Sequence, residues 1–428
     1  MTPAGRPRIS VIIPTYNESG LLRASLTGLA RQRLPRDEFE VVVADDGSAD
    51  GTAAVVESFA DRLRLQYHFQ PDLGWRAPAA RNNGARLAAA PLLSFLDTGN
   101  LVGPDYLRHH LAAAAGGPGR RAVFGYAYGY RPEDPTPGLA GLLARLPPEE
   151  VVRRHGQDPA FFDDRHAELA GCDFDLRRRA VPWQFCWGMS CTVRADDFWA
   201  VGGFDEEFRS WGIEDIEFGY RLHRRGVVIE VSRDGWVIES PGERDLTAMW
   251  RSAVTNMARL YRKHPVPANE LGWVLLSDQY YWEWQHEAER LREWTRTARD
   301  LDVTDELRAA ARRLRPDQRV AVFGCGGAVP AELPAPAVLL DVDADLLDRA
   351  VAGGRHQGYH ALGLRLPLPD QSMDVAILTS RLAGLRDRWG EQLAAEARRV
   401  ARQVREAATD LAHSGPESGP EPVTSGRS

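Results

Sequence analysis

The first hundred residues alternate short apolar runs with polar, turn-rich loops, and that alternation restricts the fold more than any other feature of the chain. Residues 9–14 read I-S-V-I-I-P, closed by T-Y-N-E-S-G, a loop that also caps a helix expected over 21–33. Residues 39–44 (F-E-V-V-V-A) repeat the run, followed by D-D-G-S-A-D-G-T and a second helix expected over 53–63. Strand, loop, helix, repeated, is the pattern of a parallel sheet with helices on its faces. In such sheets ligands gather outside the carboxyl ends of the strands. Thr15, Tyr16, Asn17 and Glu18 on one loop and Asp45 and Asp46 on the next therefore border one crevice. Neither G-x-G-x-x-G nor G-x-x-x-x-G-K-[ST] occurs there, so a dinucleotide site or P-loop of the usual kind fails.

Residues 70–83 (Q-P-D-L-G-W-R-A-P-A-A-R-N-N) lead into a further helix and then a strand, P-L-L-S-F-L, ending at Asp97. Arg76 and Arg81 are permanently charged planar donors suited to a diphosphate, though each alone reads more readily as an ordinary surface arginine in an arginine-rich chain. An acid at the end of an apolar strand points into the crevice, where a carboxylate can hold a hard cation that neutralises phosphate.

A second stretch, 201–223, reads V-G-G-F-D-E-E-F-R-S-W-G-I-E-D-I-E-F-G-Y-R-L-H. It sets Glu214 and Asp215 at the start of an expected helix, where the dipole and free N–H groups stabilise anions. An acidic first turn is common in itself. Trp211 and Gly212 just upstream favour a sugar, whose apolar face meets an indole while its hydroxyls meet carboxylate oxygens, with one acid ionised to act as general base.

A chain of 428 residues has room for about two or three domains. No apolar run reaches membrane-spanning length and the start lacks a secretory apolar region, so a cytoplasmic protein is expected. A net charge of -7 gives no support to nucleic-acid binding. The four cysteines lack C-x-x-C spacing, which argues against zinc and a disulfide framework.

Together S-V-I-I-P-T-Y-N-E, V-V-V-A-D-D-G-S-A-D-G-T, G-W-R-A-P-A-A-R-N-N-G-A-R-L-A, F-L-D-T-G-N and the 201–223 stretch resemble a family 2 glycosyltransferase of the GT-A fold. The later part is similar to the galactosyltransferase-type half of chondroitin-polymerase-like enzymes. The likeness covers residues 8–241. It implies an inverting transfer of sugar from a nucleotide donor, usually UDP-linked, to a hydroxyl or amine of a saccharide, lipid-linked or small-molecule acceptor. By the resemblance Asp46 holds the uracil, while Thr15, Tyr16 and Glu18 line the nucleoside. Arg76 and Arg81 belong to the donor site, Trp211 and Glu214 hold sugar, and Asp215 is the base. The family's D-x-D is here Asp97-Thr98-Gly99, and V-I-E-S-P offers Glu239 where relatives place a histidine. Three alternatives follow: Mn2+ or Mg2+ held by Asp97, Glu239 and phosphate oxygens; arginines in its place; or a dead, merely binding site.

Residues 132–179, rich in proline, charge and aromatics, read as a helical insertion on the acceptor side, and Trp183, Phe185 and Trp187 as a period-2 strand. Helices are expected over 248–264 and through 270–315. R-V-A-V-F-G-C-G-G-A-V (319–329), A-V-L-L-D-V-D and a third apolar region resemble a class I S-adenosylmethionine methyltransferase over 319–400. That likeness gives Gly324 and Gly326 to the methionine part and Asp341 to the ribose. Ala328 replaces a usual glycine, no acid precedes Leu366-Pro367, and the closing strands are missing after Arg399, so a degenerate domain is expected. The expected organisation is an α/β GT-A domain over 1–265 (nucleotide-sugar half 1–120, acceptor half 121–265), a helical linker over 266–315, a short Rossmann-like domain over 316–405, and a helix end with a disordered tail over 406–428.

Overall fold

The computed structural model describes residues 5–117, 119–133, 135–242 and 244–407. The chain divides into two compact units, Met1–Asn256 and Met257–Ser428. The expected tail lies outside the described residues.

The first unit is built on an eight-stranded mixed sheet. Its strands are β1 (Ile9–Thr15), β2 (Phe39–Asp45), β3 (Leu65–Phe69), β4 (Leu92–Leu96), β5 (Asn100–Val102), β6 (Arg121–Tyr128), β7 (Ser190–Arg194) and β8 (Val228–Glu239), in the spatial order β3-β2-β1-β4-β7-β6-β8-β5. β1 pairs in parallel with β2 and β4, so Thr15 stands opposite Asp45. Every residue of β1 and β2 is buried, as expected of strands covered on both faces. The Ser19–Leu29 helix buries Leu22, Leu26 and Leu29 at helical spacing against them. Each such side chain contributes roughly 1.5–3 kcal/mol of burial.

Crossing from the parallel half, β7 runs antiparallel to both β4 and β6, and β8 is parallel to β6. β1, β2, β4, β6 and β8 therefore point the same way, and their carboxyl ends share one edge. The insertion is a set of short helical turns, Leu139–Leu143, Pro148–His155, Pro159–Phe161, His166–Ala170 and Leu176–Arg178. A fully buried pair anchors it. Arg165 grips Asp163 at 2.6 and 3.0 Å and donates to the carbonyls of Phe185 and Gly125, both at 2.8 Å. Because every guanidinium nitrogen has an acceptor, the pair escapes most of the cost of buried charge.

Several local expectations are corrected. Pro182–Phe185 is a 3-10 turn rather than a strand. Its Trp183 packs edge-on against Tyr220 at 5.2 Å, and the strand begins only at Ser190. The helix after β2 is shorter than its apolar pattern, Thr52–Glu57. β3 and β5 were not legible: β3 carries no fully buried residue and β5 is three residues long.

The second unit holds a wholly parallel five-stranded sheet, β9 (Val320–Phe323), β10 (Val338–Asp341), β11 (Gln357–His360), β12 (Met373–Leu378) and β13 (Ala401–Glu406), in the order β11-β10-β9-β12-β13. One strand, Ala401–Glu406, thus follows Arg399, where the closing strands were expected to be missing. Helices Pro267–Ser277, Trp284–Thr297 and Thr304–Ala311 precede the sheet. Among the described residues no helix is long and apolar enough to cross a membrane.

Candidate active site

At the shared edge, the loops after β1 and β2 are tied to each other. The backbone N–H of Asp46 donates to the Thr15 carbonyl at 2.9 Å. The Asp46 carboxylate, nearly buried, accepts from Gln70 Nε2 at 2.6 Å and from the Arg76 backbone and guanidinium at 2.8 and 3.1 Å. Tyr16 is exposed and donates its hydroxyl to Asp72 at 2.9 Å. Asp45 is turned inward instead. It accepts from the N–H groups of Gly47 and Ser48 and from the Tyr67 hydroxyl, so it shapes the loop and does not face the crevice.

The other half of the site is organised by Arg81, from the Ala77–Leu87 helix. Its side chain is 4% exposed. One guanidinium nitrogen binds both oxygens of Asp97, at 2.8 and 3.0 Å, and the other binds Glu214 Oε1 at 3.0 Å. Arg76 and Arg81, expected to face one diphosphate, thus have separate partners here. Arg81 joins the end of β4 to the acidic pair 133 residues later in the chain. Burial alone would lower its pKa, but the charges of Asp97 and Glu214 outweigh that and hold the proton more firmly.

Glu214 and Asp215 begin the Glu214–Arg224 helix, and the turn before them is left-handed at two successive residues, Gly212 (φ 91°) and Ile213 (φ 74°). A β-branched residue in that region is strained by roughly 1–3 kcal/mol. Asp215 accepts from its neighbour's backbone, Ile216 N–H, at 2.8 Å and from Gly188 N–H at 2.8 Å. Burial and then the charge of Glu214 push its carboxyl up to about 7, against the pull of Gly188 N–H, Arg81 and Ile216 N–H. Trp211 is 42% exposed on the same turn.

Glu239, at the end of β8, is ion-paired with Arg244. Burial raises its pKa, Arg244 opposes, and Asp97 adds to the rise. Glu18, exposed, is raised by desolvation and then by the charges of Asp97, Glu239 and Asp50. Oxygen donors of this kind suit Mn2+ or Mg2+. Among the described residues, however, no three His, Cys, Asp or Glu side chains are grouped to hold a metal ion. Asp97 and Glu239 are each turned to an arginine, and the third position of D-T-G is Gly99 at φ 90°, whose carbonyl is held by Ser240. As arranged, these residues do not form a metal cage.

Buried polar atoms with no partner among the described residues also mark the crevice: Thr15 Oγ1, Asn100 Oδ1, Glu214 Oε2, and Nε of Arg76 and Arg81. Orphans of this type cost free energy unless a ligand or water meets them. Residues that pattern reading missed hold the site together. Asn82 clamps the V-G-G-F-D loop, donating to the Phe204 carbonyl at 2.8 Å and accepting its N–H at 2.9 Å. Arg81-Asn82 is an R-N pair one residue apart on one helix, and only the register of that helix separates their tasks.

In the second unit, Gly324 (φ 78°) and Gly326 (φ 68°) form the expected loop after β9, and Asp341 ends β10. Asp341 is fully consumed inside the protein. It accepts from the N–H groups of Gly326 and Asp343 at 2.8 and 2.9 Å and from Arg381 at 2.9 and 3.0 Å. The Arg381 side chain, also buried, lies over the loop, so that a Cβ on Gly324 would sit 3.0 Å from its own Cβ. A second charge closes the neighbouring loop: buried Glu270 accepts from the backbone N–H groups of Leu362, Gly363, Leu364 and Arg365. With Asp341 and the glycine loop covered by Arg381, these residues do not fit S-adenosylmethionine.

Comparison with known proteins yields two family models: "Glycosyl transferase family 2" over residues 10–166 and "N-terminal domain of galactosyltransferase" over 170–235. A validoxylamine A glucosyltransferase of Streptomyces hygroscopicus subsp. limoneus is 47% identical over 406 residues, covering 93% of this chain and 90% of that protein. A chondroitin synthase of Escherichia coli is 30% identical over 225 residues, covering 51% of this chain and 32% of that protein. Among solved structures, a mannosyltransferase from Pyrobaculum calidifontis in complex with GDP-Man and Mn2+ is 22% identical with a TM-score of 0.44, covering 65% of this chain and 70% of that one.

Proposed function

The chain belongs to glycosyl transferase family 2, and from that premise we propose that the crevice around Arg81 transfers glucose from UDP-glucose to validoxylamine A or a compound like it, with inversion and with Asp215 as the base. The Streptomyces relative's name supplies the sugar and the acceptor, and its likeness runs through both units. The observation that carries the roles is the Asp97–Arg81–Glu214 link, which puts the strand edge of the donor half beside the acidic pair of the acceptor half.

In this reading Asp46, Thr15, Tyr16 and Glu18 line the nucleoside, Arg76 and Arg81 meet the diphosphate, and Trp211 and Glu214 hold the sugar. The acceptor oxygen or nitrogen attacks the anomeric carbon while Asp215 takes its proton. The bond to the diphosphate breaks on the opposite face, and the leaving group carries away the electron pair. Guanidinium charge held in place before the reaction stabilises that departing charge without reorganisation. No step is routed through a metal ion. We read the second unit as methyltransferase-like in topology and silent in methyl transfer, supported by the Arg381–Asp341 pair.

The test is product formation from UDP-glucose and validoxylamine A, followed by mass spectrometry. Asp215→Asn is expected to lower turnover by roughly 10²–10⁴-fold, the usual contribution of general base catalysis, in a variant shown by its thermal melt to be folded. An Asp215→Asn enzyme that turns over within about tenfold of wild type would contradict the assignment.

A further inference from the structure

We propose that Asn256 is a positioning residue for the transfer step, its carboxamide fixing the turn that sets Glu214 and Asp215 at the head of their helix. The proposal rests on the reading of Asp215 as base. Asn256 lies on the Leu246–Lys263 helix, 3% exposed, and no feature of its own sequence neighbourhood, A-V-T-N-M-A, marks it out.

Its Nδ2 donates to three successive carbonyls, those of Ser210 at 3.0 Å, Trp211 at 3.3 Å and Gly212 at 2.8 Å. Four residues earlier on the same helix face, the Ser252 hydroxyl donates to the Trp211 carbonyl at 2.6 Å. These carbonyls belong to the turn that ends in Gly212 and Ile213, both left-handed. Ile213 is the cap residue before Glu214, and its side chain makes no capping hydrogen bond of its own. A strained backbone persists only where its surroundings over-determine it. Here one neutral amide, joined by the Ser252 hydroxyl, supplies that restraint.

The chemistry of the position is narrow. A carboxylate there would face three carbonyl oxygens with no proton to give, and an alanine would leave them unmet. Relaxation of the turn rotates the first residues of the helix, which are the two acids. Trp211 moves with them, so sugar contact and base geometry loosen together. A misplacement of about 1 Å far from the chemistry can cost roughly 10²-fold in rate.

Steady-state transfer from UDP-glucose is compared for wild type, Asn256→Ala, Asn256→Asp, Ser252→Ala and Asp215→Asn, each with a thermal midpoint. Folded Asn256→Ala and Asn256→Asp are expected to lose about 30-fold or more in kcat, a larger change than any rise in donor KM, and Ser252→Ala to lose about threefold in kcat. Folded Asn256 variants with kcat within about twofold of wild type, or with the loss confined to the donor KM, overturn the proposal. Should the Asn256 variants not fold, Ser252→Ala decides: a kcat loss supports the clamp, and an unchanged kcat overturns it. A dead Asp215→Asn beside unaffected Asn256 variants sinks this inference alone, whereas an active Asp215→Asn sinks the reading beneath it.

Discussion

Asp215 and Arg81 illustrate how much a single residue's meaning depends on what stands beside it. Arg81 alone in the sequence is one arginine among many. Buried between Asp97 and Glu214, it is paired with both carboxylates at once. Asp215 is pushed up to about 7 by burial and by Glu214, so the sign of its pH dependence is fixed. A base must be ionised, and kcat/KM should rise with pH through about 7 and level off above it; a profile flat from about pH 5 to 8 would count against this. Its effect on stability has the opposite sense. The folded state holds this proton more tightly than the unfolded chain, whose aspartates titrate near about 3.9. The group's contribution is therefore fully present below that value and is lost as pH rises through about 7. Glu214→Gln removes one of the two causes of the upward shift and should move the kinetic limb to lower pH.

At the scale of the element, the Glu214–Arg224 helix is placed by close approach as much as by its caps. A Cβ on Gly219 would lie 2.3 Å from Cys186 Sγ, because the helix packs directly on the Pro182–Phe185 turn. Gly219→Ala should therefore destabilise the protein by about 1–3 kcal/mol through overpacking, and it should also depress activity, since the helix carries both acids. Gly141→Ala, whose Cβ would meet only the tip of Arg145 at 3.7 Å, is the matched control and should leave both unchanged. Thermal melts and transfer rates on the two variants check this. The same packing explains why the aromatic run at 183–187 is a turn: Trp183 serves the helix, not a sheet neighbour.

For the molecule as a whole, the second unit combines a parallel sheet and a glycine loop with an Asp341 whose hydrogen-bond donors come from within the protein. Calorimetry with S-adenosylmethionine at about millimolar concentration should show no binding heat; a micromolar Kd would refute the silent reading. Arg381→Ala should cost about 3–5 kcal/mol in the unfolding of this unit, because Asp341 would be left as an uncompensated buried charge. Chemical denaturation of the full chain measures it.

The sequence by itself determined the α/β class, the order of the strands that matter and the loops that carry the acids, because apolar periodicity and turn chemistry act over a few neighbouring residues. That Thr15, Asp46, Asp97, Glu214 and Asp215 stand on loops and at element ends was legible from such local signals, and so was the place of Asp341, though not the Arg381 pairing that argues against its expected ribose role. What only the tertiary structure decided were the partnerships across the chain: Arg81 on Asp97 and Glu214, Arg244 on Glu239, Asn256 on the tryptophan turn, Arg381 on Asp341. No local pattern encodes these, since each joins residues whose spacing in sequence says nothing of their spacing in space. A buried charge or carbonyl takes whichever complementary group the packed fold delivers to it.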